Sequence, residues 1–131
     1  MKNVIILCSP TSEDFRAAIA SGKKGYFFPP LGLLLVAQTL KNEGYEIKFY
    51  DGNYDTNYKR DIFDYVSGNS ENILYIGFYL TLLQIKDCTD IINAVKSIKP
   101  DIPIIIGGPF TAVFTNMVMQ SGMVEIGRAH V

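Results

Sequence analysis

The stretch that most constrains the fold is Ile102 to Thr111, IPIIIGGPFT. Its first half, Ile102 to Ile106, is apolar and mostly β-branched with no polar alternation, which is typical of a strand covered on both faces of a parallel sheet. Gly107, Gly108 and Pro109 follow, at the position where open α/β sheets bind their ligands. Glycine lets a ligand approach the backbone closely, although the same three residues can also form a simple tight turn.

Three more apolar runs of strand length precede this one, and helical patterns lie between them. The predicted strands are 3–8, 46–50, 73–78 and 102–106, and the predicted helices are 29–43, 58–66, 85–98 and 113–122. Strands that alternate with helices indicate right-handed crossovers and a parallel sheet. We therefore predict an α/β fold, a flavodoxin-like or Rossmann-like doubly wound sheet of order 2-1-3-4-5, in which the fifth strand is truncated or replaced.

The first predicted helix has a leucine-rich start, and its inward face is not obvious. Apolar spacing favours an inward face made of five residues. They are Leu31, Leu34, Leu35, Gln38 and Leu40. Gly44 follows in the position that a left-handed helix cap prefers.

Composition excludes several classes of function. The chain has 131 residues, a net charge of −1 and two cysteines. This length suits one domain, and the near-zero charge argues against a nucleic-acid partner. The apolar runs are too short for a signal peptide or a membrane span. Cys8 and Cys88 lie in apolar stretches and indicate a reducing compartment, so we expect a cytoplasmic protein.

The last seven residues, EIGRAHV, resemble the translation of a sequencing adapter. We therefore expect the native domain to be 1–124 and 125–131 to be a non-native tail, as in an expression scar. The tail holds His130, the only histidine of the chain. We expect this histidine to be neither a metal ligand nor a catalytic base.

The predicted strand ends carry no recognisable catalytic set. Ser9, Pro10 and Thr11 follow the first strand, without the carboxylates of a phosphoacceptor receiver and without G-x-G-x-x-G. No carboxylate pair, Cys/His pair or Ser/His/Asp set is available for acid–base or nucleophilic chemistry. We expect the chain to be non-catalytic by itself.

Motifs along the chain resemble the cobalamin-binding domains that precede radical S-adenosylmethionine (radical SAM) enzymes. The segment PPLGLL begins at Pro29 and leads to GYE at Gly44 and to Asp51. An IG pair in the third strand and the segment KPDIPIIIGGP, which begins at Lys99, complete the pattern. The resemblance covers essentially all of residues 1–124.

The resemblance implies a cobalamin at the carboxyl edge of the sheet, contacted by the three strand-end loops. In such domains a Ser/Thr-x-Leu segment after the third strand lines the pocket for the nucleotide tail. Thr81 and Leu83 occupy those positions, and Gly107 and Gly108 would leave room for the corrinoid. The resemblance thus assigns eight cofactor-binding residues. They are Ser9, Pro10, Thr11, Thr81, Leu83, Gly107, Gly108 and Pro109. From this we expect Gly108→Val to abolish cobalamin uptake while leaving the fold intact.

The chain also departs from the better-known cobalamin domains. The Asp-x-His-x-x-Gly motif that supplies a cobalt ligand is absent after the first strand, and Phe110 replaces a frequent histidine. We therefore expect cobalamin to bind without histidine ligation. The Cys-x-x-x-Cys-x-x-Cys motif is absent, so the iron–sulfur cluster and S-adenosylmethionine would belong to a missing downstream radical SAM domain. That domain would make the full enzyme a methyltransferase or a rearranging enzyme. The alternative is a binding or interaction module of the same family that has lost cobalamin.

Overall fold

The computed structural model describes residues 2–11, 30–80 and 84–108. These residues form four strands: β1 (Val4–Ser9), β2 (Glu46–Asp51), β3 (Ile73–Tyr79) and β4 (Ile104–Gly107). Three helices connect them: α1 (Leu31–Asn42), α2 (Tyr58–Asn69) and α3 (Ile85–Ile98). A short 3-10 helix, Ser70–Asn72, leads into β3. The predicted loop between residues 12 and 29, the helix at 113–122 and the tail at 125–131 lie outside the described residues.

The sheet has the predicted topology. Its strands are in the order β2-β1-β3-β4 and every neighbouring pair is parallel. The order reverses at β1, because the chain moves to one side to form β2 and then crosses back to form β3. Ligands of open α/β sheets bind at the carboxyl end of such a switch point. The α/β flavodoxin-like prediction is confirmed for the four strands that the structure describes.

Among the described residues, the larger core lies on one face of the sheet and a smaller one on the other. Alternate residues of β1 point to opposite faces: Val4, Ile6 and Cys8 join a large core with α2 and α3, whereas Ile5 and Leu7 meet α1. In β4, Ile104 and Ile106 are buried in the large core, but Ile105 is only half-buried. Among the described helices, α1 packs on β1 and β2, so coverage of the Ile105 face stays a prediction.

Helix α1 faces inward with a different set of residues from the predicted one. Leu33 is buried, and Ala37 and Leu40 pack beside it against the sheet. Leu31 and Leu35, which we expected inside, are 68% and 70% exposed. Almost every position at the start of this helix is apolar, so spacing fits more than one face, and contact with β1 and β2 decides between them.

The predicted ends of two elements need comment. Gly44 has a φ of 98°, so the predicted left-handed residue after α1 is confirmed. Strand β4 begins at Ile104 and not at Ile102, because the Ile102 N–H donates to Lys99 O in a turn. Pro103 has no N–H to add to the ladder, although its carbonyl accepts from the Ile76 N–H at 3.0 Å.

Candidate functional site

The parallel strands bring two of the predicted loops to one edge of the sheet. Ser9 ends β1 and is level with Asp51 of β2, while Gly107 ends β4 and is level with Tyr79 of β3. Ser9, Pro10 and Thr11 thus share the carboxyl edge with Gly107 and Gly108, with β3 between the two groups. The remaining predicted contacts lie outside the described residues. They are Thr81, Leu83 and Pro109.

The chain leaving β1 is fixed by hydrogen bonds from three directions. The Gly52 N–H donates to Ser9 O at 2.8 Å, and Gln84 Nε2 donates to Pro10 O at 2.5 Å. The Thr11 N–H donates to the Tyr58 hydroxyl at 3.2 Å. The partners come from the loop after β2, the start of α2 and the residue before α3. These hydrogen bonds therefore connect residues 9–11 to three other segments of the fold.

Tyr58 is itself held by a buried carboxylate. Its hydroxyl donates to Asp87 Oδ2 at 2.5 Å, and the Asp87 side chain is only 2% exposed. Lys59 Nζ lies 3.4 Å from the other carboxylate oxygen and offsets the buried charge. Burial, and then the hydrogen bond to Asp87, raise the pKa of Tyr58 above its ordinary value. The phenol therefore keeps its proton at neutral pH.

The side-chain hydroxyl of Thr11 is an exception in this well-bonded region. Thr11 is 3% exposed, and its Oγ1 has no hydrogen-bond partner among the described residues. A buried hydroxyl without a partner costs about 1–3 kcal/mol, so such groups are rare in native structures and call for an explanation. A bound ligand that hydrogen-bonds this hydroxyl would remove the cost.

At Gly108 the chain's own backbone leaves no room for a side chain. The φ of Gly108 is 103°, and a Cβ built on it would lie 2.5 Å from the Leu80 carbonyl oxygen. The missing side chain is thus required by the close approach of this chain's own backbone at the end of β3. The expectation that Gly108→Val leaves the fold intact is wrong, because the valine would be strained and would collide with Leu80.

The two cysteines belong to the core and not to the edge chemistry. Cys8 and Cys88 are buried in the same cluster. Burial raises the pKa of both thiols well above the ordinary value, so neither is a thiolate at neutral pH. Residues 2–11, 30–80 and 84–108 contain no group of three or more His, Cys, Asp or Glu side chains that could hold a metal ion. Over the same residues, no helix is both long and apolar enough to cross a membrane.

Comparison with known proteins decides the family. The sequence profile described as B12 binding domain matches residues 17–129, well over half of the chain. The chain belongs to the B12-binding domain family. No curated protein and no solved structure gives a significant match. Membership implies a corrinoid cofactor, and it agrees with the parallel sheet of order β2-β1-β3-β4.

The described residues of this B12-binding domain fit a corrinoid held by hydrogen bonds and packing. Thr11 offers a buried hydroxyl without a partner at the carboxyl edge. Gly107 is only half-buried, so its backbone at the same edge is accessible to a ligand. These two features would contact the periphery of a corrinoid.

Sequence reasoning missed the residues that support the edge, Tyr58 and Asp87. Tyr58 fits the apolar spacing of α2, and nothing near it in the sequence marks its hydroxyl as important. Asp87 lies four and eight positions before Ile91 and Val95, which are both buried, so it falls on the inward face of α3. A carboxylate at an inward helical position needs a buried partner, and that signal could have found the pair.

Proposed function

We propose that this B12-binding domain holds cobalamin at the carboxyl edge of its sheet without a protein ligand to cobalt. The contacts are the eight residues that the sequence predicts. They are Ser9, Pro10, Thr11, Thr81, Leu83, Gly107, Gly108 and Pro109. The observation that carries the proposal is the buried, unpartnered Thr11 hydroxyl at the switch point of a chain in this family. Gly108 contributes backbone here, since the space of its side chain is taken by Leu80.

We expect the purified protein to take up hydroxocobalamin and to keep the visible absorption bands of the corrinoid after gel filtration. Reduction to cob(II)alamin then permits electron paramagnetic resonance. The nitrogen superhyperfine pattern should be the same for ordinary protein and for protein labelled with the heavy nitrogen isotope, because no protein nitrogen binds cobalt. A pattern that changes with labelling would contradict the absence of ligation. A colourless protein would favour the alternative in which the family fold is kept and cobalamin is lost.

We propose further that the domain serves a radical SAM enzyme, which would carry out methyl transfer or a rearrangement. The support is the order and spacing of PPLGLL at Pro29, GYE at Gly44 and the GGP segment at Gly107. When bound, the corrinoid would supply a methyl-carrying or radical-generating centre to the partner domain. We expect the source gene to continue past codon 124 in the same frame into a fifth strand and then a Cys-x-x-x-Cys-x-x-Cys motif. A genomic stop codon directly after Val131, found in independent reads, would contradict this.

A further inference from the structure

Within the described part of the chain, three backbone groups at the exit of β1 are hydrogen-bonded and one buried side-chain hydroxyl is not. Ser9 O, Pro10 O and the Thr11 N–H each have a hydrogen-bond partner. Thr11 Oγ1 is buried beside them and has none within the described residues. The backbone at Thr11 is thus held in place while its hydroxyl stays available for a ligand.

The direction of the Tyr58 hydroxyl depends on Asp87. A phenol has one proton to donate and lone pairs to accept with. The proton goes to Asp87 Oδ2 at 2.5 Å, so a lone pair is left to accept the Thr11 N–H at 3.2 Å. Without the carboxylate, the hydroxyl could rotate and present its proton to the Thr11 N–H. Asp87 therefore fixes Tyr58 as an acceptor.

We infer that Tyr58 and Asp87 are positioning residues for cofactor binding, which hold Thr11 so that its hydroxyl hydrogen-bonds the bound corrinoid. This inference rests on the proposed function, since the ligand is the same cobalamin. Neither Tyr58 nor Asp87 touches the cofactor. Both act through the Thr11 backbone, which links α2 and α3 to the loop after β1.

A double-mutant cycle on hydroxocobalamin affinity tests the inference. Thr11→Val removes the hydroxyl at nearly constant shape and should weaken binding about three- to tenfold, the value of one hydrogen bond. Thr11→Ser keeps the hydroxyl and should bind more tightly than Thr11→Val. Tyr58→Phe should weaken binding severalfold in the parent but less than about twofold in the Thr11→Val background. Equal losses in both backgrounds would mean that Tyr58 is merely structural and would overturn the inference.

Tyr65→Phe is the matched control, because it makes the same change two turns further along α2, where the ring contacts Lys48 and not the edge. It should leave the affinity unchanged. If Tyr58→Phe does not fold, Asp87→Asn takes its place in the cycle. The amide still accepts from Tyr58 but holds it less strongly, so the same background dependence is expected with a smaller amplitude.

Amide hydrogen exchange without ligand separates the two proposals. Tyr58→Phe removes the acceptor of the Thr11 N–H, so exchange at Thr11 should become at least about tenfold faster, the equivalent of one lost hydrogen bond. Exchange at Ile6 in the middle of β1 should stay as in the parent. Unchanged exchange at Thr11 would overturn the positioning role. If Tyr58→Phe speeds exchange at Thr11 but the parent protein takes up no cobalamin, the proposed function and the ligand contact of Thr11 would be overturned, while the link from Tyr58 to Thr11 would stand.

Discussion

Gly108→Ala should lower the free energy of unfolding by about 2–5 kcal/mol, the sum of the cost of a left-handed backbone and the cost of a steric collision. The φ of 103° disfavours any side chain, and the new Cβ would lie 2.5 Å from Leu80 O and 3.0 Å from Leu80 N. Backbone atoms cannot turn aside as a flexible side chain does. Urea denaturation followed by circular dichroism measures the loss, and Gly108→Val should lose more.

Gly44→Ala is a control that separates strain from collision. Gly44 has nearly the same φ, 98°, but a Cβ there meets nothing within 4 Å. Its cost should therefore be the backbone contribution alone, about 1–2 kcal/mol. If Gly108→Ala costs no more than Gly44→Ala, then Leu80 does not restrict this position and the space at Gly108 is again open to a ligand.

Because a side chain at Gly108 disturbs the fold, substitution of Gly108 is a poor test of cofactor binding. Loss of cobalamin uptake in Gly108→Val would not show a ligand contact, because the variant alters the junction of β3 and β4 directly. Thr11→Val is the better probe, since valine has almost the same shape as threonine and Thr11 Oγ1 has no partner to lose among the described residues. The variant should be at least as stable as the parent, because it removes a buried hydroxyl that has no partner in the described part of the chain, so a loss of binding would not reflect unfolding.

The arrangement of strands could be predicted from sequence because each signal was local and strong. The β-branched runs, and the glycine after α1, each determine one element. Parallel order then follows from the alternation of strands and helices. The inward face of α1 could not be predicted in this way. Leu31 and Leu33 are equally apolar, and only tertiary contact makes one exposed and the other buried.

The position of the candidate site could be predicted from the sequence, but the hydrogen bonds that hold its loop in place could not. The carboxyl edge followed from the fold class, and the loops at Ser9 and Gly107 followed from the ends of apolar runs. The links between Thr11, Tyr58 and Asp87 join residues that are far apart in sequence and have no shared motif. Their pairing depends on the packing of α2 against α3, which periodicity does not describe.

Gly52→Ala should both destabilise the fold and loosen the candidate site. The Cβ would lie 2.7 Å from Thr11 N and 2.8 Å from the Tyr58 ring. Among the described glycines only Gly44 and Gly108 have positive φ, so the cost at Gly52 is steric and not conformational. Over-packing of this kind costs about 1–3 kcal/mol. Because the collision pushes Thr11 away from Tyr58, the Thr11 N–H should also exchange faster with solvent.

Gly68→Ala is the matched control, being a glycine of α2 whose Cβ would meet nothing within 4 Å. It should stabilise the protein by about 0.5–1 kcal/mol through the higher helix propensity of alanine. Urea denaturation of both variants and amide exchange at Thr11 are the measurements. A Gly52→Ala protein as stable as the parent, with the Thr11 N–H still protected, would show that Thr11 and Tyr58 can move apart from the new methyl group at little cost. The loop after β1 would then be too mobile for Tyr58 to position the Thr11 hydroxyl.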